Sequence, residues 1–243
     1  MKFSATHLLI RALIILVIVC SSSHLRAEII IIGGYDYPPF MNAQSNQGVY
    51  HKLMSDISRR TELRFQWEYY PYARLNSLFE QGSIAMEVGA APEWTANKGI
   101  PGVYTETFYE LEDIAIFRPG EAFKIKQPQD IKGKTIGVVR GYGFEQFKGM
   151  FDSKQATRFD ASDEKQLINM LFNKRLDAIF INKDVFQFHK SIIPKYVRLH
   201  QGDVVGAYKV GIRIHPDFKE IIPSLNKAIR DLKKEGKLDS ILK

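Results

Sequence analysis

An uninterrupted run of β-branched residues, Ile29 to Ile32, passes directly into Gly33 and Gly34 and then into a loop crowded with rings: Tyr35, Tyr37, Pro38, Pro39 and Phe40. Isoleucine is stiff at χ1 and suits a pleated strand, and the lack of polar alternation fits a strand covered on both faces, as in a parallel sheet. The glycines free the backbone and the prolines stiffen it. The aromatic side chains are thereby displayed at the carboxyl end of a strand, where open α/β sheets bind ligands. The plainer alternative is that they only cover the sheet edge.

Helix and strand signals alternate behind this strand. Val49, Leu53 and Ile57 recur at four-residue spacing with Lys52, Asp56, Arg59 and Arg60 between them, which predicts an amphipathic helix. Residues 63–70 read as a strand, Pro71 breaks it, and residues 73–81 form a helix with Leu75, Leu78 and Phe79 inward and Gly82 as its stop. Residues 84–88 make the next strand, ending at Gly89. Short connections between alternating elements point to a parallel sheet wound by right-handed crossovers. Residues 90–107 lose periodicity and carry Pro92, Trp94, Gly99, Pro101 and Gly102, so they read as a long ordered loop over the same sheet edge.

A strand at 111–117 and a polar connector at 118–128 lead into a second cycle: a strand at 135–139, a turn through Arg140, Gly141, Tyr142 and Gly143, and a helix at 144–151. Its later half matches the first in sequence, since LFEQGSIAMEVG (78–89) aligns with LFNKRLDAIFIN (171–182) without a gap. Gly89 and Asn182 then mark equivalent strand ends. Residues 183–190 read as helical, 196–199 as extended and 209–214 as a returning strand. Ile221, Ile222, Leu225, Ile229 and Leu232 share one face of a terminal helix that Gly236 ends, with Leu238, Ile241 and Leu242 docking a last turn. The expected architecture is α/β and two-lobed. Lobe one comprises 28–117 and 210–243, lobe two 118–209, and each is a mostly parallel sheet flanked by helices. Two chain crossings form a two-strand hinge, and interlobe clefts are favoured ligand sites.

Residues 1–27 are expected to be a cleaved secretory signal peptide. Lys2 and Arg11 precede the apolar run 12–20, small residues follow, and Ala27 suits the cleavage point, so the mature chain would start at Glu28 in the periplasm. Removing that segment takes away the one cysteine, Cys20, and with it disulfide and thiol chemistry. The segment also holds three of the cations behind the +7 net charge and no acid, leaving +4. This mild basicity is not a nucleic-acid footprint, and the basic helix carrying Lys227, Arg230, Lys233, Lys234 and Lys237 reads as a solvated face.

Catalytic signatures are scarce. There is no G-x-S-x-G, phosphate loop or H-E-x-x-H, and His51, His189, His200 and His215 lack i, i+4 pairing, so neither a metal nor another cofactor is expected. What remains is the inventory of a binding cleft: Tyr35, Tyr37, Tyr70, Tyr72, Glu87 and Trp94 on one side, Arg140, Tyr142, Gly143 and Asn182 on the other. Arg140 follows a buried strand and precedes a helix N-terminus, where anions are favoured; the alternative is an exposed arginine paired with Glu145 or solvent. Glu87 interrupts the apolar strand AMEVG and needs a partner, either a cationic ligand group or a structural one such as Arg74.

Taken in order, YPPF (37–40), PYARL (71–75), PEWT (92–95), DIKGKTIGVVRGY (130–142) and LNKAIRDLKKEGKLDSIL (225–242) resemble the family 3 periplasmic solute-binding proteins, typified by the polar amino acid receptors of ABC importers. The likeness spans essentially all of the chain after residue 27. It implies a type II periplasmic-binding-protein fold with lobe one built from both chain ends, closing as a monomer on a small polar solute for delivery to a membrane permease. By position, it assigns ligand contacts to Tyr37, Tyr72, Tyr142, Gly143 and Asn182. Two positions depart from the amino acid binders. Thr95, Ala96, Asn97 and Lys98 stand where those carry a carboxylate-binding arginine, and Asn182 stands where they carry an amine-binding aspartate; Lys cannot reproduce the arginine fork. Two other functions stay open: a periplasmic, dehydratase-like enzyme on the same scaffold with Glu87 as acid or base, and a sensory binding domain without a transporter.

Overall fold

The computed structural model describes residues 29–242. The expected signal peptide, with Cys20 and Glu28, lies outside the described residues. From its first strand the chain forms β1 (Ile29–Gly34), α1 (Val49–Thr61), β2 (Arg64–Tyr69), α2 (Tyr72–Glu80) and β3 (Met86–Ala90). It continues through α3 (Pro92–Thr95), β4 (Val103–Tyr104), β5 (Tyr109–Phe117) and a 3₁₀ turn at Pro128–Ile131. Then come β6 (Thr135–Val139), α4 (Glu145–Asp152), β7 (Thr157–Ala161), α5 (Glu164–Phe172), β8 (Ala178–Asn182) and α6 (Lys183–Ile192). The chain closes with a 3₁₀ turn at Pro194–Arg198, β9 (His200–Ile214), a 3₁₀ turn at Pro216–Ile221, α7 (Ile222–Lys234) and α8 (Lys237–Leu242).

The strands make one mixed sheet in the order β2-β1-β3-β9-β5-β8-β6-β7, with β4 also on β9. β1 pairs in parallel with β2 and β3, as β6 does with β7 and β8. The unit β1-α1-β2-α2-β3 and the unit β6-α4-β7-α5-β8 therefore share one topology, and the matching segments 78–89 and 171–182 occupy the same place in each. Being central explains why β1 and, after Thr135, β6 carry no polar side chain: Ile30, Ile32, Ile136 and Val138 are buried between sheet neighbours and helices. Burying each such side chain stabilises the fold by roughly 1.5–3 kcal/mol.

Both units end on antiparallel partners, β3 on β9 and β8 on β5. β9 runs alongside β5 from His200 to Val210, then alongside β3 and β4 from Gly211 to Ile214. α1 contributes Tyr50, Leu53, Met54 and Ile57 to the core, and α7 packs beside it with Leu225, Ala228, Ile229 and Leu232. In β3 the pairing slips between Val88 and Ala90, and Gly89 takes φ +79° at the bulge. A Cβ there would stand 2.2 Å from Tyr50 Oη.

Several expected boundaries differ. The segment expected as a loop over 90–107 contains α3 and β4. Residues 196–199 are not extended: Pro194 starts a 3₁₀ turn, and Tyr196, buried, donates its hydroxyl to Asn169 Oδ1 at 2.8 Å, which curls the chain onto α5. β9 begins at His200 instead of 209, since its polar, glycine-interrupted first half (HQGDVVGAY) is held by β5 and not by its own pattern. β7 (TRFDA) is a strand with little apolar content because it lies at the sheet edge, where only Ala161 is buried.

Candidate ligand-binding cavity

The loops after β1 and β6, which are equivalent strands of the two units, meet over a cavity lined by Tyr35, Tyr37, Tyr72, Trp94, Asp113, Tyr142 and Gly143. Tyr37 is held by reciprocal backbone contacts with Met41, its N–H donating to the Met41 carbonyl at 2.9 Å, and the Pro38–Pro39 bond between them is cis. Tyr72 is the first residue of α2, reached across Pro71. Tyr142 sits in the turn between β6 and α4. That turn depends on Gly141, whose φ is +93° and whose Cβ, if present, would lie 3.2 Å from the Tyr72 ring and 3.4 Å from Ala73 Cα.

Most of the rings meet edge to face, and Tyr35 is tilted against Tyr37 at 37°. Tyr142 lies 4.8 Å from Tyr72 at 90° and 6.4 Å from Tyr37 at 89°, while Tyr35 is 4.9 Å from Tyr72 and 5.1 Å from Tyr37. Such packing is favourable for aromatic quadrupoles and leaves little space. The cavity measures about 30 Å³, room for only two or three waters at roughly 10–15 Å³ each. Anything larger than these waters fits only if the rings part.

Two carboxyl groups belong to this aromatic nest. Asp113, on β5, lines the cavity, and burial pushes its carboxyl up to about 7. Glu164, the first residue of α5, is buried behind Tyr142 and accepts that hydroxyl at 2.7 Å; burial likewise raises it to about 7, against the opposing effect of this hydrogen bond. Burial drives the hydroxyls of Tyr35, Tyr37 and Tyr142 well above the ordinary tyrosine range. All remain protonated and able to donate.

A second pocket of about 90 Å³ adjoins the first, and Tyr72 and Trp94 belong to both linings, so these rings form the partition. Its far wall holds Glu87 and Arg213. The Arg213 Nη1 lies 3.3 Å from both Glu87 oxygens and from Asn76 Oδ1, Nε donates to the Pro101 carbonyl at 2.8 Å, and Nη2 donates to the Ile100 carbonyl. The guanidinium also lies over the Phe79 ring at 3.7 Å. Glu87 thus has its structural partner in Arg213, not Arg74, which lies over the Tyr70 ring. Burial raises the Glu87 carboxyl and Arg213 opposes that rise. The acid–base role open to Glu87 meets an ion pair already formed.

No protein-family model matches the sequence, and no curated protein sequence does either. Solved structures do match along nearly the whole chain. An ancestral arginine-binding protein bound to arginine is 19% identical over 90% of this chain and 97% of that one, with a TM-score of 0.75. The substrate-binding protein of an amino acid ABC transporter is 18% identical over 88% and 97%, with a TM-score of 0.71. A histidine kinase sensor domain with similarity to periplasmic binding proteins is 14% identical over 89% and 95%, with a TM-score of 0.76. The chain has the type II periplasmic-binding-protein fold.

Within the type II fold, six residues marked from sequence share the one cavity: Tyr35, Tyr37, Tyr72, Trp94, Tyr142 and Gly143. Glu87 lines the adjoining pocket, as does Lys98. Arg140 is exposed and outside either lining, and α4 begins five residues on at Glu145. Asn182 is buried and occupied: its Oδ1 accepts from the N–H groups of Asp184 and Val185 at 3.0 and 3.2 Å, capping α6, and its Nδ2 donates to the Glu112 carbonyl. Thr95 bonds Tyr104 Oη and the Pro101 carbonyl. Tyr70 donates to Glu68 outside both linings.

Asp113 and Glu164 escaped sequence reasoning. Asp113 carried a usable signal, an acid directly before the apolar run Ile114 to Phe117. Glu164 reads as an ordinary acid in a first helical turn. Among the described residues no group of three or more His, Cys, Asp or Glu is placed to hold a metal, and no helix is long and apolar enough to cross a membrane.

Proposed function

We propose that the chain is a periplasmic solute-binding protein of the family 3 type, whose two lobes close on a small polar solute and hand it to a membrane permease. The observation that carries this reading is the cavity itself, built from the ends of the equivalent strands β1 and β6 and walled by rings from both repeated units. In this reading each unit belongs to one lobe, β5 and β9 are the connecting strands, and binding and release follow from parting the two sets of rings. The similarity of fold to an amino acid ABC transporter's binding protein supports delivery to a permease.

Trp94 offers the readout, because it is one of two tryptophans and lines the cavity. In a Trp67→Phe background, a small polar solute should change Trp94 fluorescence and raise the melting temperature together. A panel of amino acids, amines, small organic acids and short peptides that moves neither would sink the proposal. The likeness to a histidine kinase sensor domain favours a second reading, a sensory input domain. Deleting the protein in cells separates them: lost uptake of the identified solute marks a carrier, and unchanged uptake with a lost response marks a sensor.

A further inference from the structure

The cavity lining holds an acid and five rings but no basic side chain. Arg213 is buried at the adjoining pocket, and all three of its nitrogens are committed to Glu87, Asn76 and the carbonyls of Ile100 and Pro101. Lys98 borders the adjoining pocket beyond the Tyr72 and Trp94 partition. The guanidinium that touches the lining, Arg158 on the Tyr142 carbonyl at 2.8 Å, is already paired with Asp160. A carboxylate placed in the cavity would lie against Asp113 and near Glu164 with no unpaired cation in the lining to neutralise it. The opposite charge meets a favourable site.

Resting on the solute-binding reading, we propose that the ligand is an organic ammonium, a compact cation held by Asp113 within a box of tyrosine and tryptophan rings, and that it carries no carboxylate beside its charged head. Rings at right angles, as Tyr142 stands to Tyr72 and to Tyr37, enclose a cation better than a stack does, since several negative π faces can turn toward one centre. Asp113 is half-buried in the cavity wall, where a carboxylate stripped of water is costly without a counter-ion, and an ammonium supplies one. The tyrosine hydroxyls stay neutral, so they add polarity to the walls without adding repulsion.

Matched probes on the native protein test charge and carboxylate separately by calorimetry. Choline is expected to bind at least tenfold tighter than its uncharged isostere 3,3-dimethylbutan-1-ol, and agmatine at least as tightly as L-arginine, from which it differs by the carboxylate. Asp113→Asn should weaken the better cation at least tenfold while the melting temperature confirms a folded protein; the matched pairs remain decisive if that variant does not fold. L-arginine, L-glutamine, L-glutamate or succinate binding tighter than every amine overturns the ammonium assignment and leaves the solute-binding reading standing. Silence from these probes, with another anionic or neutral solute found by the Trp94 screen, also overturns the assignment alone. Silence in both overturns the two together.

Discussion

The Tyr142 hydroxyl donates to Glu164 Oε1 across 2.7 Å, so the ring that closes the cavity is tied to the first residue of a helix behind it. Neutral-to-charged conversion at this contact and at Asp113 sets a pH dependence of stability. Both carboxyls rise on folding, Glu164 from 4.5 and Asp113 from 3.8, each to about 7. A raised acid holds its proton longer in the folded chain, so its stabilisation is complete below the unfolded value and is lost as pH climbs through about 7. Tyr142, Asp163 and Asp36 face Glu164, and Tyr37, Tyr72 and Tyr208 face Asp113, so no cation reverses the sign.

Urea denaturation across pH 4.5 to 7.5 should therefore show native stability falling relative to that of Glu164→Gln and Asp113→Asn, by on the order of 1–3 kcal/mol per group. A parallel pH profile in the variants would show that these carboxyls do not titrate as buried groups.

Arg213 and Glu87 give a stability prediction. Arg213→Met leaves the Glu87 carboxylate without its counter-charge and two carbonyls without a donor, and should cost about 3–5 kcal/mol in urea denaturation. Adding Glu87→Gln should recover part of that loss. A single variant within about 1 kcal/mol of native would mean that water replaces the pair.

Asn182 separates structure from binding. Asn182→Ala removes the α6 cap and should cost about 1 kcal/mol of stability. Affinity for any identified solute should stay within twofold, because both ends of the side chain are bonded inside the fold. A tenfold loss of affinity with normal stability would instead place Asn182 at the ligand.

The turn between β6 and α4 yields a paired test. Gly141→Ala forces φ +93° on a side chain and crowds Tyr72, so it should cost about 1–2 kcal/mol and weaken solute binding. Arg140→Ala next to it should leave both unchanged, since Arg140 is exposed and outside the linings. Thermal melts and calorimetry on the two variants read the contrast directly.

Elements whose own residues carry the structural reason were legible from sequence. Ile29 to Ile32 announce β1 because a central strand must be apolar on both faces, and Leu225, Ile229 and Leu232 announce α7 because one stripe packs on α1. Elements held by a partner were not: the first half of β9 owes its extension to β5, and β7 needs no apolar face at an edge. The cavity followed the same division. Tyr37, Tyr72 and Tyr142 were readable from strand ends and turns, whereas Arg213 meeting Glu87 spans 126 positions and no local pattern encodes it. Asn182 and Arg140 had the right addresses along the chain, but one side chain turns inward to a helix cap and the other outward to water.

β9 is a single strand of 15 residues that changes partners between Val210 and Gly211 without a break. A ribbon continuous through a boundary transmits twist where a loop would absorb it. Turning one half of the sheet against the other then has to wring the β5–β9 ribbon as a torsion spring, and the hydrogen bonds nearest the partner change would loosen first. Amide exchange at Gly211 and Ile212 should consequently outpace that at Tyr208 and Val210, and a solute that closes the rings should slow it.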